Sequence, residues 1–243
     1  GGYVAAELKY AGYDGLVLSG SAARLSYLVI EDHRAELRDG EHIRGLGMQV
    51  TQQALQQELG AGVRTLAIGP AGENRVRFAV IGTNSESVAG QGGFGAVMGA
   101  KNLKAIAIRG RGGVRVAKPA EALRRSRLLV EAIQRIYRER PKSPPLAGMP
   151  AEQIGSTVPC TSQCAHGCGW FYDQVAGVAH PERSYSGRFH CCAPRFFGAD
   201  WLKALLGFNA GFELAQLAND LGLNHWELVF GLVPWILRCQ ERG

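Results

Sequence analysis

No cysteine occurs before residue 160 of this 243-residue chain, and all six fall between Cys160 and Cys239. A disulfide-stapled mini-protein spreads its cysteines through a short chain, so that class is excluded. Long apolar runs are missing as well. The best, Leu228 to Leu237, is ten residues and contains Pro234, against the ~18 to 20 that span a membrane. There is no initiating methionine, no basic n-region and no signal-peptide h-region. The chain opens on Gly1-Gly2-Tyr3, already inside a structured segment. The expectation is a cytoplasmic piece of a longer protein, without structural disulfides. Charge of one sign is scarce too: 27 Lys and Arg against 21 Asp and Glu leave +6, too little and too dispersed to indicate nucleic acid.

What is present is an ordinary globular balance, 46% hydrophobic and 20% charged, with room for one large domain or two small ones. Glycine stands out at 33 residues, about twice the usual share of ~7%. Residues 1–117 hold 21 of them and read as strands broken by glycine turns. Gly15–Leu18, Leu25–Ile30, Val63–Ile68, Val76–Ile81 and Leu103–Ile108 are strand candidates, with a polar turn at Glu31–Arg34. Met48–Leu59 has helical spacing. The texture changes at Lys118-Pro119. An amphipathic helix follows, with a solvated face of Arg124, Arg125, Arg127, Arg135 and Arg138, and Pro141 ends it. From Trp201 two helices are expected, broken near Asn219–Asn224.

Four segments could carry chemistry. Ile68-Gly69-Pro70-Ala71-Gly72-Glu73-Asn74 is a tight turn with polar groups at its exit. Ala89 to Gly99 has glycines at 90, 92, 93, 95 and 99, which let backbone amides approach a ligand such as a phosphate. Gly90, Gly92 and Gly95 fit G-x-G-x-x-G, but no acidic residue occurs from Ser87 to Ala120, so a nicotinamide site is rejected. A Walker P-loop fails for want of Gly-Lys-Ser/Thr. Cys160, Cys164 and Cys168, with Cys191 and Cys192 further on, can converge on an iron–sulfur cluster or zinc. Asn219 to Asn224 reads as a helix corner, with Gly222 closing one helix and Asn224 capping the next. Among the histidines, His166 could hydrogen-bond a cluster, and His190, beside Cys191, is the candidate for proton transfer.

Taken together, these segments resemble the aldehyde:ferredoxin oxidoreductase family of tungsten or molybdenum enzymes. The resemblance rests on GGY (1–3), ELKYAGYDG (7–15), IGPAGENRVRFAVIGTN (68–84) and AGQGGFGAVMGAKNLKAIAIRG (89–110). It is close to about residue 118, looser through the cysteines, and returns at NDLGLN (219–224). It implies two pyranopterins holding one tungsten or molybdenum, a magnesium ion bridging their phosphates, and a [4Fe–4S] cluster. Gly1, Val88 and Gly90 fall where the family's backbone meets the pterin phosphates or the magnesium, and Gly92 belongs to the same cradle. Cys164 and Cys168 fall on cluster-ligand positions. Asn219 and Asn224 stand where pterin-binding acids are common, and their side-chain carbonyls can still accept from pterin NH groups.

Departures accompany the likeness. Ser87 and Gln91 stand where arginines are frequent, and Cys160 is one position early. A fourth cluster cysteine is expected beyond this chain. Near the metal, Tyr185 to Cys192 replaces a segment that carries a glutamate. Cys191 or Cys192 could therefore ligate tungsten, as in the benzoyl-CoA reductase branch, or complete the cluster.

The expected architecture is α+β. A glycine-rich β-sheet pterin-binding domain occupies 1–117, and a mainly helical iron–sulfur domain occupies 118–243, each continuing outside the chain. The implied activity is oxidation of aldehydes to carboxylates, with electrons passing through the cluster to a ferredoxin-like carrier. The isolated piece is expected to be inactive. Aryl-CoA ring reduction is the second reading, and a non-catalytic or zinc-binding remnant the third. A homodimer or separate electron-transfer subunits are the expected partners, with no nucleic acid and no membrane span.

Overall fold

The computed structural model describes residues 2–83, 86–139, 154–161, 164, 167, 169–189 and 200–243. Gly1, His166, Cys168, His190, Cys191 and Cys192 lie outside the described residues.

The first part is a mixed six-stranded sheet. Its strands are β1 (Ser26–Glu31), β2 (Arg34–Asp39), β3 (Arg64–Ala67), β4 (Ile81–Thr83), β5 (Val88–Ala89) and β6 (Leu103–Arg109), in the order β2-β1-β6-β3-β4-β5. β1 and β6 run parallel; every other neighbouring pair is antiparallel. Central β6 is the most apolar stretch of the sheet, as a strand covered on both faces must be. Ile106 and Ile108 pack with Val4 of α1 (Val4–Tyr10) and Met98 of α4 (Phe94–Ala100). Ala105 and Ala107 pack with Leu55 of α2 (Met48–Leu59). The opposite edge, β2, is exposed and charged through Arg34, Glu36 and Arg38, which discourages pairing with another sheet edge.

Most expected elements form. The helix over Met48–Leu59 is there residue for residue. Two expected strands are not. Gly15–Leu18 is extended chain outside the sheet, and over 76–80 only Ala79 forms an isolated bridge, to Leu223. That segment is pinned from two sides instead: Ala79 O accepts from Gly95 N at 3.0 Å, and Val80 N donates to Gly222 O at 2.9 Å. The short helix α3 (Pro70–Glu73) precedes it.

The second part holds the expected helices and, beside them, a sheet that the sequence did not announce. It contains a three-stranded antiparallel sheet, β7 (Ile154–Val158), β8 (Gly169–Ala176) and β9 (Ser184–Phe189), in that order. Trp170, Tyr172 and Val175 of β8 pack against Phe212, Ala215 and Ala218 of α6 (Asp200–Leu221). Cys160 and Cys164 therefore sit on the β7–β8 connection, not on a helix. α6 is broken at Gly207, whose φ of 74° is left-handed. After the corner at 219–224 the chain widens into a π-helical stretch, Glu227–Leu232, before α7 (Val233–Arg242). Pro234 explains the widening, because its ring cannot donate to the carbonyl of Phe230 and crowds it. The amphipathic helix α5 (Pro119–Glu139) forms as expected, but Leu123, Leu128, Leu129 and Ile136 are exposed along with Arg124, Arg125, Arg127 and Arg135. No helix among the described residues is long and apolar enough to cross a membrane.

Candidate functional site

The site is built around the β4–β5 hairpin and the glycine loop that leaves it. Thr83 N donates to Ser87 O at 3.0 Å and Glu86 N to Thr83 O at 3.0 Å, closing the turn. Glu86 takes a left-handed φ of 56° at its tip. Val88, Ala89, Gln91 and Gly92 are exposed, and Ser87 and Gly90 half-buried.

The five glycines of this loop divide into two groups. A Cβ on Gly93 would stand 2.3 Å from Arg77 O, on Gly95 2.5 Å from Val80 O, and on Gly99 1.9 Å from Gly72 O. These three are buried against the backbone of 72–80, so they serve packing, not ligand approach. Only Gly90 and Gly92 face outward. A Cβ on Gly90 would meet nothing nearer than Val88 Cγ2 at 3.7 Å, and Gly92 needs glycine for its φ of 101°. Backbone accessible to a ligand is thus confined to the stretch around residues 88–92.

The helix corner closes on this loop. Gly222 takes a φ of 81°, and Leu223 N donates to Ala218 O at 2.8 Å, ending α6 in the expected manner. Asn224 Oδ1 accepts from Trp226 N at 2.9 Å, a cap on the following helix. Its Nδ2 donates to Gly90 O at 3.1 Å. Asn224 is therefore a clamp between corner and glycine loop. Asn219 is buried on the same corner and its carbonyl accepts from Gly222 N at 3.1 Å. The turn at 68–74 is the seat beneath: a Cβ on Gly69 would lie 2.4 Å from Leu221 O.

A buried ion pair braces that seat. Lys104, fully buried in β6, bonds Glu73 and donates to Leu46 O at 2.7 Å. Glu73 also accepts from Gly45 N at 3.0 and 3.1 Å. Burial pushes the Lys104 ammonium down from its usual range, and Glu73 pulls it back up. The loop so held runs into Gly47, where a Cβ would lie 1.9 Å from Asp220 Oδ2, and Asp220 Oδ1 accepts from Gln49 N at 2.9 Å. Lysine inside an apolar strand run is the one signal in the sequence that announces this pair, since lysine is almost never fully buried without a partner.

Glu86 was not singled out by spacing or motif. Its carboxylate accepts from Arg188 N at 3.1 and 3.0 Å, tying hairpin to β9. Burial raises its pKa from the usual carboxylate range to about 7, against the pull of the Arg188 bond and charge and of Gln216.

The cysteine loop meets the chain's beginning. Gly2 N donates to Cys160 O at 2.7 Å, Tyr3 Oη to Pro159 O at 3.4 Å and Arg188 to Pro159 O at 2.8 Å. The Tyr3 ring lies under the Arg64 guanidinium, 5.2 Å from its centre. Cys160 and Cys164 are half-buried, and Cys239 is exposed on α7. Among the described residues no three His, Cys, Asp or Glu side chains converge on a metal position.

A mixed sheet with helices on both faces, a glycine hairpin left open at two residues and a cysteine loop tied to the first residues make up an α+β fold. Residues 1–110 match the family described as aldehyde ferredoxin oxidoreductase, N-terminal domain. The tungsten-containing aldehyde ferredoxin oxidoreductase of Pyrococcus abyssi is 42% identical over 159 residues, 65% of this chain and 25% of that protein. That of Pyrococcus furiosus is 50% identical over 111 residues, 45% of this chain and 18% of that protein. Among solved structures, the active-site complex BamBC of benzoyl coenzyme A reductase, with 1,5-dienoyl-CoA, superposes with a TM-score of 0.78 at 27% identity. It covers 93% of this chain and 40% of that one. The chain thus spans about a quarter or less of the curated relatives' length.

Proposed function

We propose that this chain supplies the pterin-binding base of a tungsten (or molybdenum) oxidoreductase that converts aldehydes to carboxylates. The observation that carries the reading is the clamp of Asn224 on Gly90, which fixes a loop whose backbone is open only around residues 88–92. Side chains at Gly90 and Gly92 would cover that backbone, and their lack fits a phosphate-bearing cofactor held by main-chain groups. Ser87, Val88, Gly90, Gln91 and Gly92 would hold the phosphates and their magnesium, with Gly1 beside them and Asn219 and Asn224 behind. Cys160, Cys164 and Cys168 would ligate a [4Fe–4S] cluster.

The cofactor, when bound, supplies two-electron redox chemistry that no side chain provides. An aldehyde and water would give a carboxylate, three protons and two electrons, and a cluster held by Cys160, Cys164 and Cys168 would supply one-electron transfer toward a ferredoxin-like carrier. The chain's own part is positional. Lys104 and Glu73 brace the loop under Asp220, the corner holds the hairpin, and the bond from Gly2 N to Cys160 O keeps the cluster loop against the cofactor base. His190 is the candidate for moving the proton released at the substrate carbon.

The test is metal and activity analysis of the anaerobically purified protein. Tungsten or molybdenum with about four irons and aldehyde-dependent reduction of ferredoxin support the reading. Zinc alone would replace it with a metal-binding module. The likeness to BamBC over 93% of the chain favours a second reading, reduction of an aryl-CoA ring. Conversion of aryl-CoA without aldehyde oxidation would select it. Cys191→Ser and Cys192→Ser then separate two roles: loss of tungsten with iron retained marks a tungsten ligand, and loss of iron a cluster ligand.

A further inference from the structure

The positive charge of the chain is concentrated in one stretch that the site described above does not use. Residues 109–135 hold eight Lys and Arg against two Glu, a net +6 equal to that of the whole chain. Residues 111–118 are exposed and outside helix and strand, and α5 follows with Arg124, Arg125, Arg127 and Arg135 exposed. Arg111 pairs with Glu31 at 2.7 Å, and Arg124 and Arg125 pair with Glu121 at 3.2 and 2.6 Å. Such exposed pairs are weak and yield to a stronger anion. Among the described residues Arg115, Lys118, Arg127 and Arg135 have no carboxylate partner.

Apolar side chains are exposed in the same stretch. Val114 and Val116 precede the helix, and Leu123, Leu128, Leu129 and Ile136 lie on it at 50 to 61% exposure. Leu128, Leu129, Ala132 and Ile136 stand at i, i+1, i+4 and i+8, so they share one face. Arg124 and Arg135 edge that face, and Arg125 stands within it. Leu123 to Ile136 covers ~20 Å of helix.

This combination selects a partner by its chemistry. A nucleic acid supplies negative charge only, and residues 109–136 contain no aromatic side chain to stack on a base. A rigid apolar groove on an acidic protein would bury the Arg125–Glu121 pair along with the leucines, at a desolvation cost. An anionic bilayer meets both needs. Its phosphates lie at headgroup level for the guanidinium groups, and its acyl boundary is shallow enough for Leu and Ile to enter. Arginine spans that step, apolar along its stem and charged at its tip. A fluid headgroup layer also accommodates charges interleaved with apolar groups.

We propose that residues 111–136 form a membrane-surface contact, with α5 lying on an anionic bilayer. Leu128, Leu129 and Ile136 enter the acyl boundary, and the surrounding arginines pair with lipid phosphates. The helix lies on the surface and does not cross it. The inference is independent of the cofactor reading.

The experiment is co-sedimentation of the protein with vesicles of phosphatidylcholine alone and of phosphatidylcholine mixed with phosphatidylglycerol. Binding to the mixed vesicles is expected to be at least about tenfold tighter, and to weaken as salt is raised. Arg127→Gln/Arg135→Gln removes two cations without carboxylate partners and is expected to weaken it roughly 25-fold, fivefold for each. Leu129→Ser/Ile136→Ser removes inserted groups and is expected to weaken it at least about tenfold at every salt concentration. All four positions are exposed, so circular dichroism of both variants is expected to match the wild type. Polyglutamate is the probe for charge alone. Binding to it as tight as to the mixed vesicles, and unchanged in Leu129→Ser/Ile136→Ser, would assign the face to an acidic polypeptide and overturn the proposal. No sedimentation, equal sedimentation with both vesicles, or wild-type binding by either variant overturns it as well.

Discussion

The side-chain amide of Asn224 donates to the carbonyl of Gly90 at 3.1 Å while its own oxygen accepts from Trp226 N at 2.9 Å. One residue thus caps a helix and holds the loop of open glycines. Asn224→Asp separates the two tasks. The carboxylate still caps, but two oxygens now face each other at Gly90. We expect a loss of about 1 to 3 kcal/mol in denaturant unfolding, faster hydrogen exchange at residues 88–92 and reduced cofactor content. An Asn224→Asp protein with wild-type exchange at the hairpin would show that the clamp has no role.

The ion pair of Lys104 and Glu73 is sealed inside, with the side chains 0% and 12% exposed. Removing one partner leaves the other charge buried, at a cost of about 3 to 5 kcal/mol. Lys104→Met and Glu73→Gln should each lower stability by that much. The double variant Lys104→Met/Glu73→Gln should lose less than the sum, because neither charge is then stranded. Strict additivity in this cycle would rule out the brace.

The two groups of glycines should respond in opposite ways. Gly95→Ala and Gly99→Ala place a methyl 2.5 and 1.9 Å from carbonyl oxygens, and neither backbone can yield without moving the 72–80 segment. Both variants should fail to accumulate as folded protein. Gly90→Ala meets only Val88 Cγ2 at 3.7 Å. It should fold with near-normal stability and lose cofactor, measured as tungsten per folded chain. Folded, stable Gly99→Ala would contradict the packing described.

What could be read from the sequence follows this same line. Met48–Leu59 and β6 were legible because apolar spacing alone fixes them. Val76–Ile81 has strand-forming residues, yet 76–80 is held by Gly222 and Gly95 from distant parts of the chain, a tertiary effect that no local pattern carries. The sheet over 154–189 was missed because its strands lie among cysteines, glycines and turns that dilute alternation. The glycine loop was read as a candidate site, but which of its glycines stay open depends on what packs behind them. Glu86 left no trace: a lone glutamate in a polar turn looks solvated until β9 arrives from 102 residues away.

Glu86 also gives the protein a pH signature. Its carboxyl is raised from 4.5 to about 7 in the fold, chiefly by burial. Below pH 4.5 folded and unfolded chains both hold the proton, and the protonated carboxyl's contribution to stability is fully present. As pH rises from 4.5 to 7 the unfolded chain releases its proton while the folded one keeps it. The folded state then binds more protons, so stability falls with rising pH across this window and levels off above it. At about 1.4 kcal/mol per unit, and with the side chain only partly shielded from water, the fall should be on the order of 2 kcal/mol. Glu86→Gln cannot ionise. Urea unfolding of the two proteins at pH 5 and at pH 8 should therefore show the variant gaining on the wild type by that amount at the higher pH. A difference between them that is independent of pH would mean that Glu86 is ionised in the folded protein throughout.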